Sequence, residues 1–184
     1  MKSAVSILVL AAISAPALAA EPVWYLGGDI SRTEFATLPT NTRTNGFGFT
    51  LGSRVTENLA VELQARDLGS WTVTFVGGGS SQSAEYSVRS LCASALGVLP
   101  LSEGFSLYGR LGFARHTMKL SSTGSISANA HRAFWGPGVS YQIDKQLGLR
   151  LEFLRLGAPT FSLEGTDRVG GKIQQFSAGL TYAF

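Results

Sequence analysis

The chain has 184 residues, of which 45% are hydrophobic, 10% aromatic and only 15% charged, with a formal net charge of +3. The length argues for one domain, and so small a charge excludes nucleic acid from the expected partners. The single cysteine, Cys92, excludes an internal disulfide.

The first element is a leader. Lys2, an apolar run from about Ala4 to Ile13, and the small-residue site Ala17-Leu18-Ala19 read as a secretory signal peptide over residues 1–20. A membrane-spanning helix needs roughly 20 apolar residues, and Ser3, Ser6, Ser14 and Pro16 leave too few. The expected mature domain is then 21–184. It has no long uninterrupted apolar run, yet it is oily and exported. Only helices and closed barrels satisfy every backbone group in lipid, so a membrane barrel is expected.

Alternation of apolar and polar residues marks the strands. Residues 23–31 set Trp24, Leu26 and Ile30 against Tyr25, Gly27 and Asp29. Residues 46–55 set Phe47, Phe49, Leu51 and Val55 against glycines, Thr50 and Arg54. Residues 59–66 set Leu59, Val61 and Leu63 against Glu62, Gln64 and Arg66. The fourth run, 84–99, is poorly phased: Arg89 competes with Ser90, Cys92 and Ser94 for the inner face, which predicts a bulge. Residues 105–118 set Phe105, Leu107, Leu111 and Phe113 against Tyr108, Arg110 and His116. In 132–143 the sequence Gly136-Pro137-Gly138 blurs the phase. Residues 147–156 set Leu149, Leu151 and Phe153 against Arg150, Glu152 and Leu154. The last strand, 172–184, ends on Leu180, Tyr182 and Phe184 on one face.

Connections alternate in length. Those at 56–58, 100–104 and 144–146 are short, whereas 33–45, 70–83, 120–131 and 157–171 are longer and rich in Gly, Ser and Thr. Outer-membrane barrels have this asymmetry, with short periplasmic turns and long external loops. The expected fold is all-β: an eight-stranded antiparallel up-and-down transmembrane barrel. After each short turn a similar half-strand recurs, at 59–64, 105–110 and 147–152. That repeat places Glu62, Tyr108 and Arg150 at one depth, with Gln64, Arg110 and Glu152 one step further in. Glu62, Arg110, Arg150 and Glu152 are therefore expected to form a charge network in the lumen.

The run from Pro100 to Gly112, with Tyr108 and Arg110, resembles the corresponding stretch of OmpA-like outer-membrane barrels. Leu147–Phe153, Val55–Leu63 and the closing Tyr182-Ala183-Phe184 are similar to other strands of that family. The resemblance implies a Gram-negative outer-membrane location and a polar, plugged interior in which Glu62 and Arg150 match a gating pair and Arg110 a further interior arginine. The family's alternative partners, a lysine and a glutamate, fall near Leu96 and Ser140 here. The resemblance also implies that the terminal aromatics, Tyr182 and Phe184, are read by the outer-membrane insertion machinery. The expected partners are that machinery, outer-membrane lipid and lipopolysaccharide, for a monomer without a peptidoglycan-binding domain.

Several functions compete. An eight-stranded barrel is just wide enough to be filled by side chains, which favours a structural envelope or surface-interaction role over a narrow ion or water channel. A lipid A-modifying enzyme would draw on His116, His131, Ser121, Ser122 and Ser125, but no spacing joins an acid, base and nucleophile. A soluble lipocalin-like carrier would turn the apolar face inward, and periodicity alone does not say which face is inside. No cofactor, metal or catalytic residue is expected.

Overall fold

The computed structural model describes residues 23–37, 40–77, 80–121, 125–157, 160–163 and 166–184, so the expected leader lies outside the described residues. The strands are β1 (Val23–Thr37), β2 (Thr40–Thr56), β3 (Leu59–Gly77), β4 (Ser80–Pro100), β5 (Phe105–Ser121), β6 (Ser125–Gln142), β7 (Leu147–Arg155), β8 (Thr160–Leu163), β9 (Thr166–Gly170) and β10 (Lys172–Ala183). Each barrel strand pairs antiparallel with its chain neighbour, and β10 closes on β1 from Tyr25↔Ala183 to Ala36↔Lys172. The barrel thus has eight strands. β8 and β9 form a separate two-stranded sheet between β7 and β10.

Which face is outside follows from exposure. Leu63, Leu111 and Leu151 are 56%, 66% and 46% exposed, whereas Glu62, Arg110 and Glu152 are 3%, 3% and 4%. An apolar exterior around a charged interior is the inverse of a soluble barrel and fits hydrocarbon as solvent. An arginine on the lipid face near the bilayer midplane costs about 2–4 kcal/mol. Leu151→Arg should therefore lower the unfolding free energy in bilayers by about that amount, measured by denaturant titration. An unchanged midpoint would mean that Leu151 does not touch lipid.

The stretches expected as long loops are largely continued by strand. Pairing runs to Thr37↔Thr40, Gly77↔Ser80 and Ser121↔Ser125, so three of these connections are tall hairpins. Over most of their described length their Gly, Ser and Thr residues thus lie in paired strand.

The bulge expected in 84–99 lies instead on its partner. Arg89 pairs with Asp67 and Ser87 with Ser70, so Leu68 and Gly69 of β3 together oppose Val88 of β4. Gly69 takes a φ of +93°, where a side chain is strained, and its N–H donates to Asp67 Oδ1 at 2.9 Å. The extra residue reverses which side chains face inward: Leu68 points in before it, and Trp71 after it. Trp71 stacks on Tyr86 at 5.4 Å and meets Phe35 at 4.8 Å. β4 itself runs in unbroken register with β5, with Arg89 outward and Ser90, Cys92 and Ser94 inward.

In β6, pairing with β7 lapses at Gly136 and Pro137 and resumes unshifted at Gly138↔Glu152. Pro137 has no N–H to give the ladder. At the short-turn end, Asp144 Oδ1 accepts from the N–H groups of Gln146 and Leu147, both at 2.7 Å. Those donors hold its carboxyl below the usual carboxylate range.

Candidate functional site: the lumen

Inward-facing side chains fill the barrel in two layers. The layer toward the short turns is charged. Glu62 of β3 accepts from Arg150 of β7 at 2.5 Å and from Tyr25 of β1 at 2.7 Å on one oxygen. Its other oxygen accepts from Arg110 of β5 at 2.6 Å. Arg110 also donates to Glu152 of β7 at 2.5 Å and to Ser94 of β4 at 2.9 Å. Arg66 of β3 joins Glu152 to Asp29 of β1, each at 3.2 Å, and donates to Gln175 of β10 at 2.9 Å. Gln64 links Glu62 to Thr50 of β2. These bonds connect every barrel strand except β6.

Three carboxylates (Asp29, Glu62 and Glu152) face three guanidiniums (Arg66, Arg110 and Arg150). The layer is thus balanced in charge, and each ion has a partner. Buried charges need that arrangement, because unpaired ions are costly to desolvate. The Arg150 guanidinium also lies over the rings of Tyr25 and Tyr108, at 5.1 and 5.5 Å. A cavity of about 20 Å³ beside Asp29, Arg66 and Glu152 leaves room for about one water.

The network brings together all four charges expected from the sequence, Glu62, Arg110, Arg150 and Glu152. It adds Arg66 and Asp29, which alternation alone places inside or near the mouths. Arg54, similarly placed, lines the open vestibule at the short-turn end instead. Leu96, where the resemblance would put a second cation, is buried against Ala60 and Tyr108.

Above this layer the lumen is mainly apolar, with Thr33, Ser90 and His116 as buried polar members, which departs from the polar interior implied by the resemblance. Phe35, Leu68, Val88, Cys92, Met118, Phe134, Leu154, Leu156 and Ile173 are packed into one buried cluster. The signal was present as failed phasing: where both faces are apolar, as in 84–99 and 132–143, no alternation survives. Three inward aromatic rings lie over a directly cross-strand glycine: Tyr25 over Gly52, Tyr108 over Gly138 and Phe134 over Gly112. A narrow tube has no space for a side chain beneath each ring.

The histidines are separated. His116 is 0% exposed inside the barrel, with Nδ1 2.7 Å from the Ser90 hydroxyl, while His131 faces outward on β6. Ser122 lies outside the described residues. Tyr182 and Phe184 face outward at the closing seam, where the Phe184 N–H donates to the Trp24 carbonyl at 3.0 Å.

A closed antiparallel barrel with an apolar exterior, a charged interior and short turns at one rim defines a transmembrane β-barrel of the outer-membrane class. The model of the outer membrane protein beta-barrel domain matches residues 5–184, and the chain belongs to that family. No curated protein matches the sequence. Among solved structures, Neisserial surface protein A is similar at 13% identity and a TM-score of 0.69, covering 90% of this chain and all of that one. The attachment invasion locus protein Ail of Yersinia pestis is similar at 15% identity and a TM-score of 0.61, over 90% of this chain and 100% of its own. OprG of Pseudomonas aeruginosa is similar at 14% identity and a TM-score of 0.58, over 90% of this chain and 96% of its own. At such identities the likeness is one of fold. The protein is a small outer-membrane barrel of this OmpA-like type.

Proposed function

We propose that the protein is a structural element of the outer membrane, with a lumen sealed against ions and solutes. The observation that carries this reading is the double closure of the tube. A charge-balanced network with every ion paired is stacked beneath a mainly apolar plug. A conducting path would need water through both layers. It would also need an alternative partner for Glu62 or Arg150, and Leu96 offers none. The burial of His116 and its distance in sequence and orientation from His131 support a non-catalytic role. The tall external hairpins would then carry any surface interaction. Planar-bilayer recording tests the proposal: wild-type protein should give no unitary conductance, and reproducible channels would overturn it.

The closing strand has a second role in this proposal. Tyr182 and Phe184 present an aromatic carboxyl terminus to the insertion machinery of the outer membrane. Deleting Phe184 removes one main-chain bond to Trp24, a loss worth about 1 kcal/mol. It should nevertheless cut the amount of inserted protein in cells severely, as read by outer-membrane fractionation. Normal levels of the deletion variant would contradict this role.

A further inference from the structure

The outward rows of β4 and β5 change character within one cross-strand pair of each other. On β4 the series ends its apolar course at Leu91 and continues with Arg89; on β5 it ends at Phe113 and continues with Arg115. Arg115 lies opposite Leu91 on one side and opposite His131 on the other. Arg89, Arg115 and His131 thus form one outward cluster over three adjoining strands. Leu91 and Phe113, 62% and 74% exposed, border it on the membrane side. Two residues along a strand span roughly 6.6 Å, so whatever the arginines hold has an apolar surface immediately beneath it.

The cations are available. Arg89 gives one N–H to Asp67 at 3.2 Å, and a guanidinium has others to offer. Arg115 has no carboxylate partner among the described residues. At the opposite rim the charges are mixed, with Glu57, Glu103 and Asp144 beside Arg54 and Lys145, and among the described residues no arginine pair stands above an apolar row.

We infer that Arg89 and Arg115 bind the phosphate of an outer-leaflet lipid, a phosphorylated amphiphile whose acyl chains lie along Leu91 and Phe113. Guanidinium forks match phosphate oxygens in pairs, and the His131 imidazole adds a further N–H donor. A free anion would use the cations and gain nothing from the apolar border. A lipid uses both, and it meets the barrel at the level where headgroups meet hydrocarbon.

Native mass spectrometry of the detergent-solubilised barrel, titrated with diphosphorylated lipid A, tests this. Each arginine near an anionic lipid surface contributes about fivefold in affinity. The Arg89→Gln, Arg115→Gln double variant should therefore bind about 25- to 30-fold more weakly. Lys145→Gln at the other rim should bind as wild type, and excess inorganic phosphate should not compete. Folding is checked by heat-modifiable gel migration. If the double variant fails to fold, Arg115→Gln alone should lose about fivefold. Unchanged binding by the arginine variants, equal binding of dephosphorylated lipid A, or full competition by inorganic phosphate would each overturn the assignment.

Discussion

Arg110→Ala is expected to destabilise the refolded barrel by about 3–5 kcal/mol, the cost of breaking a buried ion pair by removing one partner. Arg110 is the hinge of the network, because it alone bridges Glu62 and Glu152. Its removal leaves the two carboxylates sharing Arg66 and Arg150, in a layer with one more negative than positive charge. Lysine should restore little, since a point charge does not reproduce two guanidinium contacts in different directions. Denaturant unfolding in detergent or bilayers gives the loss, and a change below about 1 kcal/mol would place the network in the class of weakly contributing ion pairs. A cycle through Glu62→Ala and Arg150→Ala completes the test. The two share an oxygen-to-nitrogen contact of 2.5 Å, so their combined cost should be less than the sum of the single ones. Strict additivity would remove that pair.

Phe134→Ala is expected to cost about 3–5 kcal/mol by a different route, the cavity left in a well-packed interior. Phe134 is fully buried at the centre of the apolar plug, and its ring occupies the space above Gly112. Neighbouring barrel walls are held apart by their own hydrogen-bond ladders, so they cannot collapse into the gap. The same variant tests the seal: with the plug thinned, the polar layer becomes accessible from the external side. A stability loss near zero, measured by the same unfolding titration, would show that the plug contributes no packing energy.

Much of this barrel was legible in the residues. Glu62, Arg110, Arg150 and Glu152 stand at alternating positions of strands that start from the same rim, so two adjacent layers of charge follow from strand geometry alone. The partners within those layers were not legible. Arg110 sits one step beyond Glu62 in the repeat and reaches back to it, a choice made by side-chain length and by the stagger of β3 against β5. Arg66 and Asp29 became members of the network because β1 and β3 flank β2 and a long arginine side chain spans the gap between them, a proximity that spacing along the chain does not encode. The bulge was felt in β4 and found in β3: Arg89 faces out by plain alternation with Ser90, and the shared place of Leu68 and Gly69 changes the phase of β3 alone. The apolar plug erased the period by which strands are recognised.

By itself, the sequence determined the element type, the strand order and the division of each strand into two faces, because a period of two and short polar turns are local properties. Alternation alone left the sign of those faces undecided, since it reads the same whether the oil lies inside or outside; the loop asymmetry, the terminal aromatic and the charges at one depth pointed the charged face inward. The tertiary structure decided it through closure. Eight strands enclose a tube that side chains nearly fill, so the charged side chains that face inward must find each other, and the leucines that face outward must find lipid.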